Sequence, residues 1–182
     1  MTSSPTKHRL IRFTLHLLSG FALLLSSDLA FGRTDFTKAP TEVSIHNPEK
    51  TEGLRNRTTI SIQVPANAGA KLEHVVLSQL SSLDRWNWGR RNPVIYLGDY
   101  SLRRRGEPGL SKAIISERGN ELNIRFNPPI VPGRRVNIVF RDFNPKADIY
   151  QWATSLIPSG DDPITSDGPT LRLSVYRNID YR

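Results

Sequence analysis

From Thr58 onward, apolar and polar residues alternate with a period of two. Ile60, Ile62 and Val64 alternate with Thr59, Ser61 and Gln63, the signature of a strand with one buried face. Pro65 stops that strand. Val75, Val76 and Leu77 belong to a second apolar run that predicts a strand reaching Leu80, and Val94–Leu97 supplies a short third one. Ala113, Ile114 and Ile115 then lead through Glu117, Arg118, Gly119 and Asn120 into Leu122, Ile124 and Phe126, which alternate with Asn123 and Arg125. Gly119 and Asn120 suit the positive φ angles of a tight hairpin turn. Asn127, Pro128 and Pro129 predict the end of the second hairpin strand, because proline donates nothing to a ladder. Pro132 and Gly133 fit the middle of a type II turn. Val136, Ile138 and Phe140 alternate again, and residues 149–156 and 171–176 add two strands across a loop rich in Gly, Asp and Pro. Seven to nine short strands, with no long stretch of helical period, predict an all-β fold: a single immunoglobulin-like antiparallel sandwich.

The pattern fails before Thr58, in two ways. Residues 33–57 are polar, with one candidate strand at Glu42–His46, and read as an N-terminal arm that adds at most an edge strand. Further upstream, Lys7, Arg9 and Arg12 precede an apolar run over residues 13–25, and Ala30 and Gly32 place small residues three and one before a cut ahead of Arg33. Basic, apolar, small is the order of a secretory signal. The run is 13 residues long, whereas a spanning helix needs about 20. His16 and Ser19 interrupt it, and Ser26, Ser27 and Asp28 close it. An uncleaved signal anchor is the alternative. The expected organisation is a signal peptide at 1–32, the arm at 33–57 and the sandwich at 58–182. The expected location is periplasmic or secreted, with no transmembrane segment in the mature chain.

Removing the signal changes the charge little. The 182-residue chain carries a net charge of +8. Lys7, Arg9, Arg12 and Asp28 account for +2 of it, so +6 stays with the mature domain. Arginine dominates the basic residues, and guanidinium suits bidentate contact with carboxylate, sulfate or phosphate. Such a surface implies acidic partners: anionic polysaccharide, lipid head groups or nucleic acid. The chain shows no recognised nucleic-acid module, and export removes the opportunity, so nucleic acid is not an expected partner. There is no Cys, which removes thiol catalysis and thiolate metal sites.

Catalytic vocabulary is sparse. Past the signal only His46 and His74 are present, too few for the usual metal site, so neither metal nor cofactor is expected. His74 is the single plausible base for a hydrolase, without a Gly-x-Ser-x-Gly elbow beside it. Asp161, Asp162 and Asp167 read as a solvated acidic turn. Asn56, Arg57 and Thr58 make a glycosylation sequon by pattern. No catalytic residue is assigned and the chain is read as a non-enzyme. The binding candidates are Arg85, Trp86, Trp88, Arg90 and Arg91, followed by Arg103, Arg104 and Arg105 in a Gly-flanked turn. Trp faces stack on sugar rings, and Arg pairs with anionic groups or sits over the rings. If the two loops lie at one end of the sandwich, they form one basic, aromatic-lined patch. The competing reading has Trp86 and Trp88 capping the core with Arg packed on them.

The order of several blocks resembles a small exported cyanobacterial family known only as a domain of unknown function. Ile62 to Gly69, followed by Leu72, Val75 and Gln79, is similar to its opening. Ile124 to Gly133 is similar to its central strand and Pro-Pro-x-x-Pro-Gly turn. Asn144, Pro145, Tyr150, Pro158, Gly160 and Leu171 to Tyr176 match its closing third. Gln151–Trp152 and residues 166–169 depart from its pattern, and residues 84–109 have no counterpart in it. The resemblance implies an exported β-domain and transfers no activity. The expected function is therefore a non-enzymatic envelope protein that binds anionic cell-surface polysaccharide or lipid head groups through the Arg/Trp loops. The alternative is a structural or accessory subunit that offers an exposed strand edge to an envelope protein partner.

Overall fold

The alternating segments pair into two five-stranded antiparallel sheets. A computed structural model describes residues 32–89, 92–99, 107–108 and 112–178. The strands are β1 (Glu42–His46), β2 (Arg55–Asn56), β3 (Thr59–Gln63), β4 (Leu72–Gln79), β5 (Val94–Leu97), β6 (Glu107–Pro108), β7 (Lys112–Arg118), β8 (Glu121–Ile130), β9 (Arg135–Val139), β10 (Asp142–Phe143), β11 (Asp148–Pro158) and β12 (Ser166–Val175). One sheet runs β1-β3-β9-β5-β6 and the other β12-β11-β4-β8-β7, while β2 and β10 form a separate two-stranded ribbon. β1 packs beside β12 where the sheets approach. The protein is an all-β antiparallel sandwich, and no helix of the described residues is long and apolar enough to cross a membrane. Residues 1–31, which hold most of the expected signal, lie outside the described residues.

The period-two residues supply the core. Ile60, Ile62 and Val64 from the first sheet face Leu77, Ile124 and Trp152 from the second, all fully or almost fully buried. Each such side chain stabilises the fold by about 1.5–3 kcal/mol through burial. The hairpin falls where Gly119 and Asn120 predict it, since Arg118 pairs Glu121 across a two-residue loop. Gly119 alone takes positive φ, +60°, which is the type II′ arrangement.

One strand end is corrected. β8 does not stop at Asn127 but continues through Pro128 and Pro129 to Ile130. The register between β4 and β8 shifts from His74↔Arg125 to Leu72↔Ile130. The prolines occupy the irregular stretch between these pairs, where no N–H is required of them. The polar arm supplies the edge strand expected at Glu42–His46, β1. Phe36 and Val43 are buried in the core, β1 pairs β3 along its whole length, and the Thr34 carbonyl accepts the Ile164 N–H at 2.8 Å. Phe36 and Val43 are turned inward while Leu54 stays exposed, so a low apolar content hid the arm's place in the sandwich. From Gly32 onward the described residues form one compact unit.

A candidate basic ribbon

The loop richest in predicted binding residues folds inward. Gln79 lies buried at the end of β4. Its Oε1 accepts the Trp86 N–H at 2.9 Å, and its Nε2 donates to Ser82 Oγ at 2.7 Å and to the Asp84 carbonyl at 2.9 Å. This latch turns residues 80–88 so that Trp86 and Trp88 enter the core, with 2% and 4% of their surface exposed. Trp86 meets Tyr150 and Trp152 edge-on, at centroid distances of 5.1 and 5.5 Å. Trp88 packs on Phe140 at 5.0 Å and on Trp152 at 5.5 Å. The expected tryptophan platform is therefore corrected: neither ring offers a face to a ligand. Burial also pushes the neighbouring Tyr150 hydroxyl up to about 12, helped by Asp84, Asp148 and Glu52. That hydroxyl donates to the Lys146 carbonyl at 2.8 Å.

The arginines of the same prediction separate. Arg85 is exposed, 3.8 Å from Glu117. Arg90, Arg91, Arg103, Arg104 and Arg105 lie outside the described residues. Asn92 and Asp99, which flank the two segments, stand at opposite ends of β5. The two loops thus leave the sheet at opposite ends, and the condition for one joint patch is not met at their roots.

A different basic cluster stands on β2 and β10. Thr59↔Val139 in the β3–β9 pair, and Asn56↔Asp142 and Arg55↔Phe143 in the β2–β10 pair, belong to one continuous register. Arg57 is therefore level with Arg141. Thr58 and Phe140 are buried, so alternation turns Arg55, Arg57, Arg141 and Phe143 to the outer face. Arg55 and Arg141 are exposed and Arg57 is half-buried. The Arg55 guanidinium lies 5.4 Å from the Phe143 ring centroid, within cation–π range. Ion pairs among the described residues join Arg33 to Asp162, Arg85 to Glu117, Arg125 to Glu73 and Arg135 to Glu42. None takes up Arg55, Arg57 or Arg141. Like charges directly opposite on paired strands destabilise them, and against three arginines the ribbon sets one acid, Asp142, whose Oδ1 accepts the Phe143 N–H at 2.8 Å.

Asn144 holds this ribbon in place. Its Nδ2 donates to the carbonyls of Glu49 at 2.9 Å and Thr51 at 2.8 Å. Its Oδ1 accepts from Asn47 Nδ2 at 2.7 Å and from Asn56 Nδ2. Its N–H donates to the Leu54 carbonyl at 2.9 Å. One buried amide thus ties β2 and residues 47–54 to the end of β10. The sequon asparagine, Asn56, is buried and spends its amide in this network, so the folded chain does not present it as an acceptor. Gly89 packs on the same region: with φ at +88°, a Cβ there would stand 3.0 Å from the Arg141 carbonyl. Gly89, the last described residue before Arg90, therefore adjoins the ribbon.

The other candidates stand apart. His74 is half-buried on the outer face of β4, lining a shallow depression of about 500 Å³ with Asn123, Arg125 and Ile114. Burial, then Arg125, pushes its imidazole below the ordinary value, while Glu73 and a hydrogen bond with Asn123 oppose the shift. Glu73 Oε1 accepts from Arg125 Nε at 3.0 Å. Asp162 pairs with Arg33 at 3.1 Å, and Asp167 lies in β12 rather than in the acidic turn. Among the described residues no three His, Cys, Asp or Glu side chains converge as a metal site. The ribbon residues escaped the sequence reading because they follow the ends of the obvious strands. The alternation breaks there, since Asp142 takes the inward position and Phe143 is out of phase with Ile138 and Phe140.

A family profile described as a protein of unknown function (DUF2808) matches residues 33–175. The chain belongs to that family. The DUF2808 match spans both sheets and the ribbon. No curated protein sequence matches this DUF2808 chain. Among solved structures, it is similar to the collagen-binding subdomain of the Enterococcus faecalis surface protein ACE, at 9% identity and a TM-score of 0.44 over 75% of this chain and 98% of that one. It is similar to the collagen-binding domain of a Staphylococcus aureus adhesin at 9% identity and a TM-score of 0.41, over 76% and 99% of the two chains. A non-cellulosomal cohesin from Archaeoglobus fulgidus is similar at 8% identity and a TM-score of 0.40, over 74% and 91%.

Proposed function

We propose that this DUF2808 protein is an exported, non-enzymatic envelope protein that binds the anionic groups of cell-surface material through the β2–β10 ribbon. The observation that carries the reading is the level pair Arg57 and Arg141, outward-facing and without an acidic partner among the described residues. A carboxylate, sulfate or phosphate between them relieves their repulsion and accepts charge-assisted hydrogen bonds from both. Arg90 and Arg91 follow Gly89, which adjoins Arg141, and are proposed as further contacts. Arg85 stands nearby in sequence but is engaged with Glu117, and Arg103, Arg104 and Arg105 form a separate basic segment. Residues 1–32 are the cleaved export signal. The net charge of +8 on the whole chain supports an acidic partner.

A second reading, an accessory subunit of an envelope complex, rests on β7. This strand is the edge of its sheet and exposes Ile114 at 60%, and an unpaired edge is a surface for strand addition.

The test is elution from phosphocellulose over a salt gradient. The double variant Arg57→Glu/Arg141→Glu should elute at clearly lower salt than the wild type. Lys112→Glu, on β7 and remote from the ribbon, is the control for bulk charge. Equal elution of a Lys112→Glu/Arg118→Glu variant and the ribbon double variant overturns the ribbon as the site. A stoichiometric protein partner recovered from the envelope and lost on Ile114→Asp favours the second reading.

A further inference from the structure

We infer, building on the anionic-ligand reading, that the ribbon's ligand is a linear acidic polysaccharide rather than a lipid head group. Charged groups and rings follow one another along the ribbon. The first row is Arg57 with Arg141, and the next, two residues or about 7 Å further along the strands, is Arg55 with Phe143. Phe143 is 50% exposed although Arg55 covers part of its ring. An exposed aromatic ring beside guanidinium groups matches a sugar that carries an acid: the ring stacks on the sugar's apolar face while the arginines take its carboxylate or sulfate. The line continues past Leu54, which is 43% exposed, to the segment where the Glu52 N–H bonds the Tyr176 carbonyl at 2.9 Å. Tyr176 is 59% exposed and offers a second aromatic ring. Rows of this kind suit a chain that repeats charge and sugar.

A membrane surface fits less well. It presents a broad and uniformly negative plane, and this end of the sandwich carries fixed carboxylates. Glu49 Oε1 accepts the Thr51 N–H at 2.8 Å, and Glu52 Oε2 accepts the Ala147 N–H at 3.0 Å. Anchored to the backbone, these acids meet a flat anionic plane as like charges. A single extended chain needs only the two rows formed by Arg57, Arg141, Arg55 and Phe143.

The experiment titrates the mature chain with oligogalacturonate, with phosphatidylglycerol vesicles and with inorganic phosphate. Wild type should bind oligogalacturonate most tightly. Phe143→Ala should weaken that binding about tenfold while elution from phosphocellulose stays near wild type, and Phe143→Tyr should restore it. Far-UV circular dichroism checks that Phe143→Ala is folded. Vesicle binding without oligogalacturonate binding overturns the polysaccharide inference and leaves the anion site standing, as does a Phe143→Ala variant that binds the oligomer like wild type. Loss of neither ligand in Arg57→Glu/Arg141→Glu overturns the ribbon reading itself.

Discussion

The side-chain amide of Gln79 accepts the backbone N–H of Trp86 at 2.9 Å, and that bond decides where the most aromatic loop of the chain goes. The same amide donates to Ser82 and Asp84, so one buried residue closes the turn from Gln79 to Trp86. Gln79→Ala removes all three bonds and strands the Trp86 N–H in the core. The expected cost is about 2–4 kcal/mol, read as a lower urea midpoint. Tryptophan emission should shift to the red in the native baseline. Unchanged emission and midpoint would show that the latch is not what seats Trp86.

Trp86 and Trp88 should behave as core residues. Trp86→Ala is expected to lower stability by about 3–5 kcal/mol. Trp88→Phe keeps an aromatic ring against Phe140 and Trp152, and should fold with oligogalacturonate binding near wild type. A folded Trp88→Phe protein that has lost binding would return the rings to the ligand site.

Asn144 is both donor and acceptor in its network, and Asn144→Asp tests that directly. A carboxylate cannot donate to the Glu49 and Thr51 carbonyls and faces them as a like dipole. The expected loss is about 2–4 kcal/mol in urea unfolding, with anion affinity falling too because β2 loses its anchor. A stable variant with intact affinity would mean that the backbone bonds alone hold the ribbon.

His74 makes stability depend on pH. Burial and Arg125 lower its folded-state pKa below the ordinary value of 6.5, so the unfolded chain binds the proton more readily. The stabilisation is complete above pH about 6.5 and is lost as pH falls from there through the folded-state pKa. The urea midpoint should therefore drop between pH 7 and pH 5, and His74→Gln should flatten that drop. An identical slope in His74→Gln would assign the effect to other groups.

Gly160 should tolerate no side chain. Its φ is +146°, and a Cβ there would stand 2.9 Å from Thr34 Cβ. Gly160→Ala is expected to cost about 1–3 kcal/mol and to expose residues 33–37 to limited proteolysis. Wild-type resistance to cleavage would show that the arm is held elsewhere.

Period-two alternation was enough to read the sandwich, the hairpin at Gly119 and most strand positions, because a strand with one buried face must repeat every second residue. The arm was harder. Phe36 and Val43 sit among polar neighbours, and only their pairing partners show that they belong to the core. The prolines of β8 misled for a related reason: the rule about missing N–H groups holds for a regular ladder, and the register shift opposite His74 relaxes it.

The candidate site was less legible. Residue type alone said that Trp and Arg were available, but the face a ring presents depends on where distant groups hold its backbone, here Gln79. In the same way, Arg57 and Arg141 are 84 positions apart in the chain, and nothing local makes them neighbours. Local pattern decides which residues point in or out. Long-range pairing decides which charges stand opposite each other, and for this protein that pairing moved the candidate site from the tryptophan loop to the ribbon.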